Sequence, residues 1–153
     1  MTSLADVRQA LLEKVSAVPG AGVVHDHEPY IRQEAKLKEL YVTNGRLCGW
    51  HLRRIASRTL SPSIGRHIDW HRWGLRGFMA FSGDGTSEKE FDRLIETIRL
   101  SIAGDETLGG LIAGMTDPET FEHGLQLEEA QPVLFCGVLC HSAKLTLMTE
   151  IIR

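Results

Sequence analysis

A chain of 153 residues, 42% hydrophobic and 24% charged, can enclose one core without disulfide or metal support and is too apolar to be disordered. Its formal net charge of −3 excludes a global basic field of the kind that gathers nucleic acid. Three cysteines with no Cys-x-x-Cys pair argue against a disulfide framework or a zinc ribbon, so Cys48, Cys136 and Cys140 read as reduced thiols. The first residues lack a basic-then-apolar leader and no apolar run reaches membrane-spanning length, so a cytoplasm-like compartment is expected. A single domain over 1–153 is expected on length alone.

Ser3 and Asp6 form a weak capping signal, and Leu4, Val7, Leu11, Val15 and Val18 follow at helical spacing until Pro19-Gly20. Val23 to Tyr30 is short and mixed, with His25 and His27 on one side of an extended chain. Two histidines lack the third ligand that a metal site requires, and a surface pair is the better reading. Tyr41-Val42-Thr43, then Asn44-Gly45, then Arg46-Leu47-Cys48 predict a hairpin with a type I′ turn. From Trp50 to Ser57 polar and apolar residues fall on both sides, so that strand is not expected to be fully buried on either face.

Seven arginines (Arg46, Arg53, Arg54, Arg58, Arg66, Arg72 and Arg76) give the middle third a basic lean. Solvated guanidinium groups with packed stems are the plainer explanation; a charged interface with an acidic partner or with passing DNA phosphates is the sharper one. Ser61-Pro62-Ser63 through Gly65 reads as a loop. In His67-Ile68-Asp69-Trp70-His71 the two imidazoles and the carboxylate share one strand face and invite a divalent metal. At ~3.3 Å per residue, however, the outer two stand about 13 Å apart on a flat strand and would need a bulge to meet. Trp70, Trp73, Phe78 and Phe81 are expected to cover the central helix, with Gly74 and Gly77 allowing a bend.

That helix is the strongest element in the chain. Ser87 and Glu90 read as a capping box, Glu88, Glu90 and Asp92 favour the positive end of the dipole, and Phe91, Leu94, Ile95, Ile98 and Ile102 form one apolar stripe. Gly104 is expected as a left-handed stop, before a short continuation through Leu108, Leu111 and Ile112. Met115 to Pro118 is a break. Leu125 to Glu128 alternates, Gln131-Pro132 interrupts, Val133 to Cys140 is nearly continuously apolar and Ala143 to Thr149 alternates, which reads as strand, turn and a final strand with one wet face. The fold class expected is therefore α+β: an antiparallel mixed sheet packed against one central amphipathic helix plus an N-terminal helix.

No Gly-x-Ser-x-Gly elbow, Walker loop, His-Glu-x-x-His or deaminase zinc pattern occurs, and nothing near a cysteine suggests an activated thiol. A non-enzymatic role is expected, without a cofactor and without assigned catalytic, cofactor-binding or metal residues. A small metal-dependent enzyme using His67, Asp69 and His71 stands as the alternative from another class.

The order helix, hairpin strands, central helix and terminal strands resembles the tail terminator proteins of long-tailed bacteriophages. The resemblance is carried by Phe91-Asp92-Arg93-Leu94-Ile95, by the Asp-x-Thr-Leu-Gly-Gly stop from Asp105 to Gly110, by Gly124-Leu125-Gln126-Leu127, and by Leu139 through Leu147. It implies a virion protein of the tail or neck, assembled in the bacterial host cytoplasm as a homo-oligomeric ring, typically a hexamer. Such a ring caps the tail tube, stops its polymerisation and offers its other side to the head-completion or connector protein. DNA would pass through the lumen without being read, and no membrane is involved. Another neck protein, for head completion or head–tail joining, is the neighbouring possibility. Ring contacts are expected from Trp50 to Ser57 and in the stretch from Ser57 to Gly65.

Overall fold

In the computed structural model, which describes residues 1–153, the first helix α1 (Leu4–Ser16) opens with a complete capping box. The Ser3 hydroxyl accepts from Asp6 N at 3.1 Å, and the Asp6 carboxylate accepts from Ser3 N at 2.8 Å. Its stripe of Val7, Leu11 and Val15 is buried. A short strand β1 (Val23–His25) follows, then a helix α2 (Glu34–Glu39) that the sequence pattern did not announce. With six residues and no fully buried position, α2 has too few turns to write a periodic signal.

The strand β2 (Val42–Thr43) turns through Asn44 and Gly45, at φ 52° and 78°, into β3 (Arg46–Ser63), as a type I′ hairpin requires. Ser61 to Gly65 is not a loop. β3 runs through Ser63 and is closed by Ile64 and Gly65, after which β4 (Arg66–Ala80) returns along it. Pro62 is tolerated there because β3 is an edge strand at that point, where a missing N–H breaks no ladder bond on the open side.

The central helix α3 (Ser87–Ala103) buries Phe91, Leu94, Ile95, Ile98 and Ile102 as the spacing predicts. Its N-terminus differs from expectation. Thr86 is the N-cap and makes no side-chain cap bond, while the Ser87 hydroxyl is buried against His141 Nε2 at 2.7 Å. The Ser87–Glu90 capping box therefore does not form; Asp84 instead accepts from the Thr86 N–H and hydroxyl. Gly104 ends α3 in right-handed geometry (φ −72°), and the left-handed stop is displaced to Leu108, Gly109 and Gly110. The Asp105 carboxylate accepts from Gly109 N at 3.0 Å and Thr107 Oγ1 from Gly110 N at 3.2 Å, which drives Leu108 into the core.

The last hairpin is β5 (Gln126–Phe135) and β6 (Val138–Ile152). Gln131-Pro132 does not interrupt β5, again because it is an edge strand, and the turn sits at Cys136-Gly137 (φ 50° and 77°), inside the apolar run read as one strand. The sheet order is β1-β3-β4-β6-β5 with β2 on β3; β1 runs parallel to β3 and every other pairing is antiparallel. This is an α+β fold, with a mostly antiparallel six-stranded sheet and three helices.

α1 and α3 pack on one face of the sheet. Trp50, Leu52, Trp73, Leu75, Met79, Leu145 and Leu147 join their apolar stripes in a single core. Trp50, fully buried, stacks on Phe91 with ring centroids 5.7 Å apart. Gly77 lies opposite Trp50 in the ladder, and a Cβ there would stand 2.3 Å from Trp50 Cε3. The glycine thus seats an indole; the bulge is in β3, between Arg54 and Ala56. Of the four aromatics expected over α3, only Trp73 is in this core. Phe78 faces the other side with Tyr41, Leu47 and Cys140, Trp70 is buried outside both clusters, and Phe81 is exposed. Period-two alternation puts Trp70 and Phe78 on the opposite face from Trp73.

Candidate functional site

The second face of the sheet is covered at one end only, where α2 and the segment before it lie over Phe78 and Phe135. A groove of about 300 Å³ opens beside that cover, lined by Glu28, His51, Arg53, Arg76, Glu128 and Lys144 among others. His51 is buried at its floor. Its Nδ1 is 2.8 Å from the Tyr41 hydroxyl and its Nε2 is 3.8 Å from a Glu28 oxygen. Burial lowers the imidazole pKa to about 4, against the pull of Glu28, so the ring is neutral at pH 7. Burial also raises the Tyr41 phenol well above its usual range, so it stays protonated, and the Glu28 carboxylate beside Nε2 selects the tautomer in which Nδ1 accepts from the phenol. Nε2–H then points at Glu28. Burial raises the Glu28 carboxyl, but hydrogen bonds from Tyr30 and Arg53 and the nearby charges outweigh it, and the group lies below its ordinary value. The cluster ties the segment before α2 to the sheet. Thr146, bonded to Glu128, is the one hydroxyl in the lining, and no cysteine reaches it.

The sequence-predicted histidine sites do not converge. Asp69 accepts from Thr59 Oγ1 at 2.6 Å and from Arg153 Nε at 2.6 Å, while His71 Nδ1 lies 2.6 Å from Ser57 Oγ. The β4 ladder runs through this stretch without a break on its own strand, so nothing folds His67 back toward His71. His25 Nε2 is 2.7 Å from Leu40 O, and His27 Nδ1 is 2.6 Å from Asp26. No group of three or more His, Cys, Asp or Glu side chains is placed to hold a metal ion. Cys48 and Cys140 are buried, and burial raises both thiols, Cys140 to about 11.

No family model matches this chain, and no curated protein does. Its surfaces must therefore be read from their own chemistry. Four of the seven clustered arginines are neutralised within the chain: Arg46 by Glu90, Arg53 by Glu28, Arg58 by Glu119 and Arg72 by Asp117. Arg76 lies over the Phe78 ring at 5.2 Å. Arg54 and Arg66 have no carboxylate partner.

The largest uncovered feature is β3 itself. Arg53 to Ser63 is exposed throughout, although it is hydrogen-bonded to β4 along one edge. β1 covers the other edge only at Gly49–His51, so the main chain beyond is open. The stretch also exposes Ile55 and Leu60, with Ile64 at the tip. Mixed polarity in the sequence pointed to Trp50–Ser57 as a strand not fully buried on either face, which holds only from Arg53 on: Trp50, His51 and Leu52 are buried, between the helices on one side and the Tyr41 cluster on the other. Sequence reasoning missed the Tyr41–His51–Glu28 cluster, whose members are brought together only when α2 crosses the sheet.

Proposed function

We propose that this chain is a virion structural subunit of the tail-terminator type, which assembles with copies of itself into a ring, caps a tail tube and presents its other side to the head connector. The observation that carries the reading is the Arg53–Ser63 stretch of β3: a long strand with one open edge and exposed aliphatic side chains. An open edge of this kind is an aggregation hazard unless another strand or chain covers it. A head-to-tail contact needs two unlike surfaces on one subunit, and the opposite edge of the same sheet, β5, supplies the second. The Asp105–Gly110 stop, on which the resemblance partly rests, has a structural role in seating Leu108 beneath α3.

A different neck protein, for head completion or head–tail joining, would use the same surfaces with other neighbours. Binding separates the two: a terminator attaches to tail tubes and a joining protein to the connector. A metal enzyme at His67, Asp69 and His71 has no converging geometry behind it. The deciding experiment adds purified chain to polymerising tail tube protein. A terminator halts elongation at substoichiometric amounts and decorates one tube end in electron micrographs; unchanged elongation with undecorated ends contradicts the proposal.

A further inference from the structure

The two ends of the sheet carry unlike chemistry. At one end β3 and β4 meet in the Ile64-Gly65 turn, where Ile64 is fully exposed. Asn, Asp, Gly and Pro suit such turns, and a β-branched aliphatic at the tip gains nothing from folding. Leu60 is exposed shortly before it, and Arg66, which has no carboxylate partner, is exposed just after. At the other end Leu134 and Leu139 lie directly opposite each other beside the β5–β6 turn, 70% and 58% exposed. Alternation puts them on the helix side with Pro132 and His141, whose ring stacks on Phe91. The exposed Phe81 joins them, its ring centroid 4.4 Å from that of His141. This apolar patch runs into a cleft of about 260 Å³, in which Phe81, Pro132 and His141 face Glu88 and Asp92 of α3. Neither carboxylate has an ion-pair partner within the chain. A contiguous apolar surface rimmed by polar groups marks a docking site.

Resting on the ring reading above, we infer that this patch receives the β3–β4 tip of a second copy, with Ile64 against Leu134 and Leu139 and Arg66 beside Glu88 and Asp92. The contact is made by side chains. It needs no ladder along β5, where Pro132 has no N–H to give, and it uses none of the arginines that carboxylates already hold within the chain.

Charge, reach and symmetry select this occupant. An apolar patch beside two unpaired carboxylates fits a segment that offers an aliphatic side chain and a free cation close together, and Ile64 and Arg66 flank a single glycine. The chain cannot fill its own patch. Ile68, near the tip, and Ala80, beside the patch, lie twelve residues apart on β4, roughly 40 Å at ~3.3 Å per residue, and β4 is held straight by ladders on both sides. Pairing two copies through a two-fold axis would set tip on tip, Arg66 against Arg66, or patch on patch, Glu88 and Asp92 against themselves. Tip on patch joins opposite charges and apolar surfaces together. Each copy carries one of each end, so the contact is head-to-tail, and the series closes when the rotation between neighbours completes a turn.

The test is sedimentation velocity on the full-length chain and its variants Ile64→Asp and Leu134→Asp. Both positions are exposed, so each variant keeps the fold and melting curve of the wild type. Each weakens self-association about tenfold or more, because a carboxylate then stands where the contact is apolar. Mixed in equal amounts the two complement each other: the intact tip of the Leu134→Asp chain fills the intact patch of the Ile64→Asp chain, and growth stops at a dimer of one copy of each. Arg66→Glu and Asp92→Arg each weaken association about threefold or more, and the double variant is no weaker than either alone, whereas independent sites would multiply their losses. An Ile64→Asp chain that assembles like wild type, a mixture without the dimer, or a double variant whose losses multiply overturns this contact while the wild-type ring stands. A wild-type chain that is monomeric at every concentration overturns the ring reading and this contact with it.

Discussion

Gly77→Ala places the smallest possible side chain where the structure has no room for one. A Cβ at position 77 would lie 2.3 Å from Trp50 Cε3 and 2.4 Å from Cδ2 and Cζ3, more than 1 Å inside the ~3.5–4.0 Å separation at which carbon atoms attract. The indole has nowhere to retreat: it is fully buried and stacked on Phe91. Overpacking of a filled core costs about 1–3 kcal/mol, and the unyielding ring puts this site at the top of that range. Replacing glycine returns ~0.4–1 kcal/mol through the unfolded chain, leaving a net loss of about 2 kcal/mol. For a domain of this length that is a fall in Tm of roughly 4–8 °C. Urea denaturation of the wild type and Gly77→Ala, with Trp50→Leu and the double variant to complete the cycle, measures it. The double variant is expected to be more stable than the sum of the single losses, since a leucine in place of the indole leaves space for the new methyl. A Gly77→Ala protein within about 0.5 kcal/mol of wild type, or an additive cycle, would refute the packing argument.

Two further predictions concern stability. Because His51 titrates at about 4 in the folded protein and near 6.5 when unfolded, the unfolded chain binds the extra proton between those values. The contribution of the neutral ring is thus complete above pH 6.5 and fades as the pH falls to 4, by about 3 kcal/mol at most; His51→Gln, which does not titrate, flattens the measured stability profile in that window. For the helix ends, Ser3→Ala removes a formed capping box and costs about 1 kcal/mol in chemical denaturation. Ser87→Ala is expected to act through His141 instead, so combining it with His141→Ala gives a loss smaller than the sum of the two.

What could be read in the sequence was whatever one short window encodes. The α1 and α3 stripes, the Asn44-Gly45 hairpin and the mixed-polarity strand after Trp50 each follow from spacing or from one residue's conformational preference. The errors arose where a neighbour outside the window decides. Ser87 is a capping residue by sequence, but His141, from β6, captures its hydroxyl. Pro62 and Pro132 suggest breaks and are accommodated because both lie on edge strands, which only the sheet order reveals. The turn at Cys136 needs a left-handed cysteine that no preference rule would select. Mixed polarity made the exposed part of β3 legible from Arg53 on but not the burial of Trp50, His51 and Leu52, and its open edge depends on β1 ending at His25, level with His51.

The central claim is that this chain works through the shape and exposed apolar side chains of its open sheet edge, in company with its own copies. Single-particle mass measurement of the purified full-length chain, combined with electron-microscope images of the same sample, tests it most directly. The account predicts one discrete closed assembly, six copies around a central hole. Monomers at every concentration and salt, with or without tail tubes present, would contradict it.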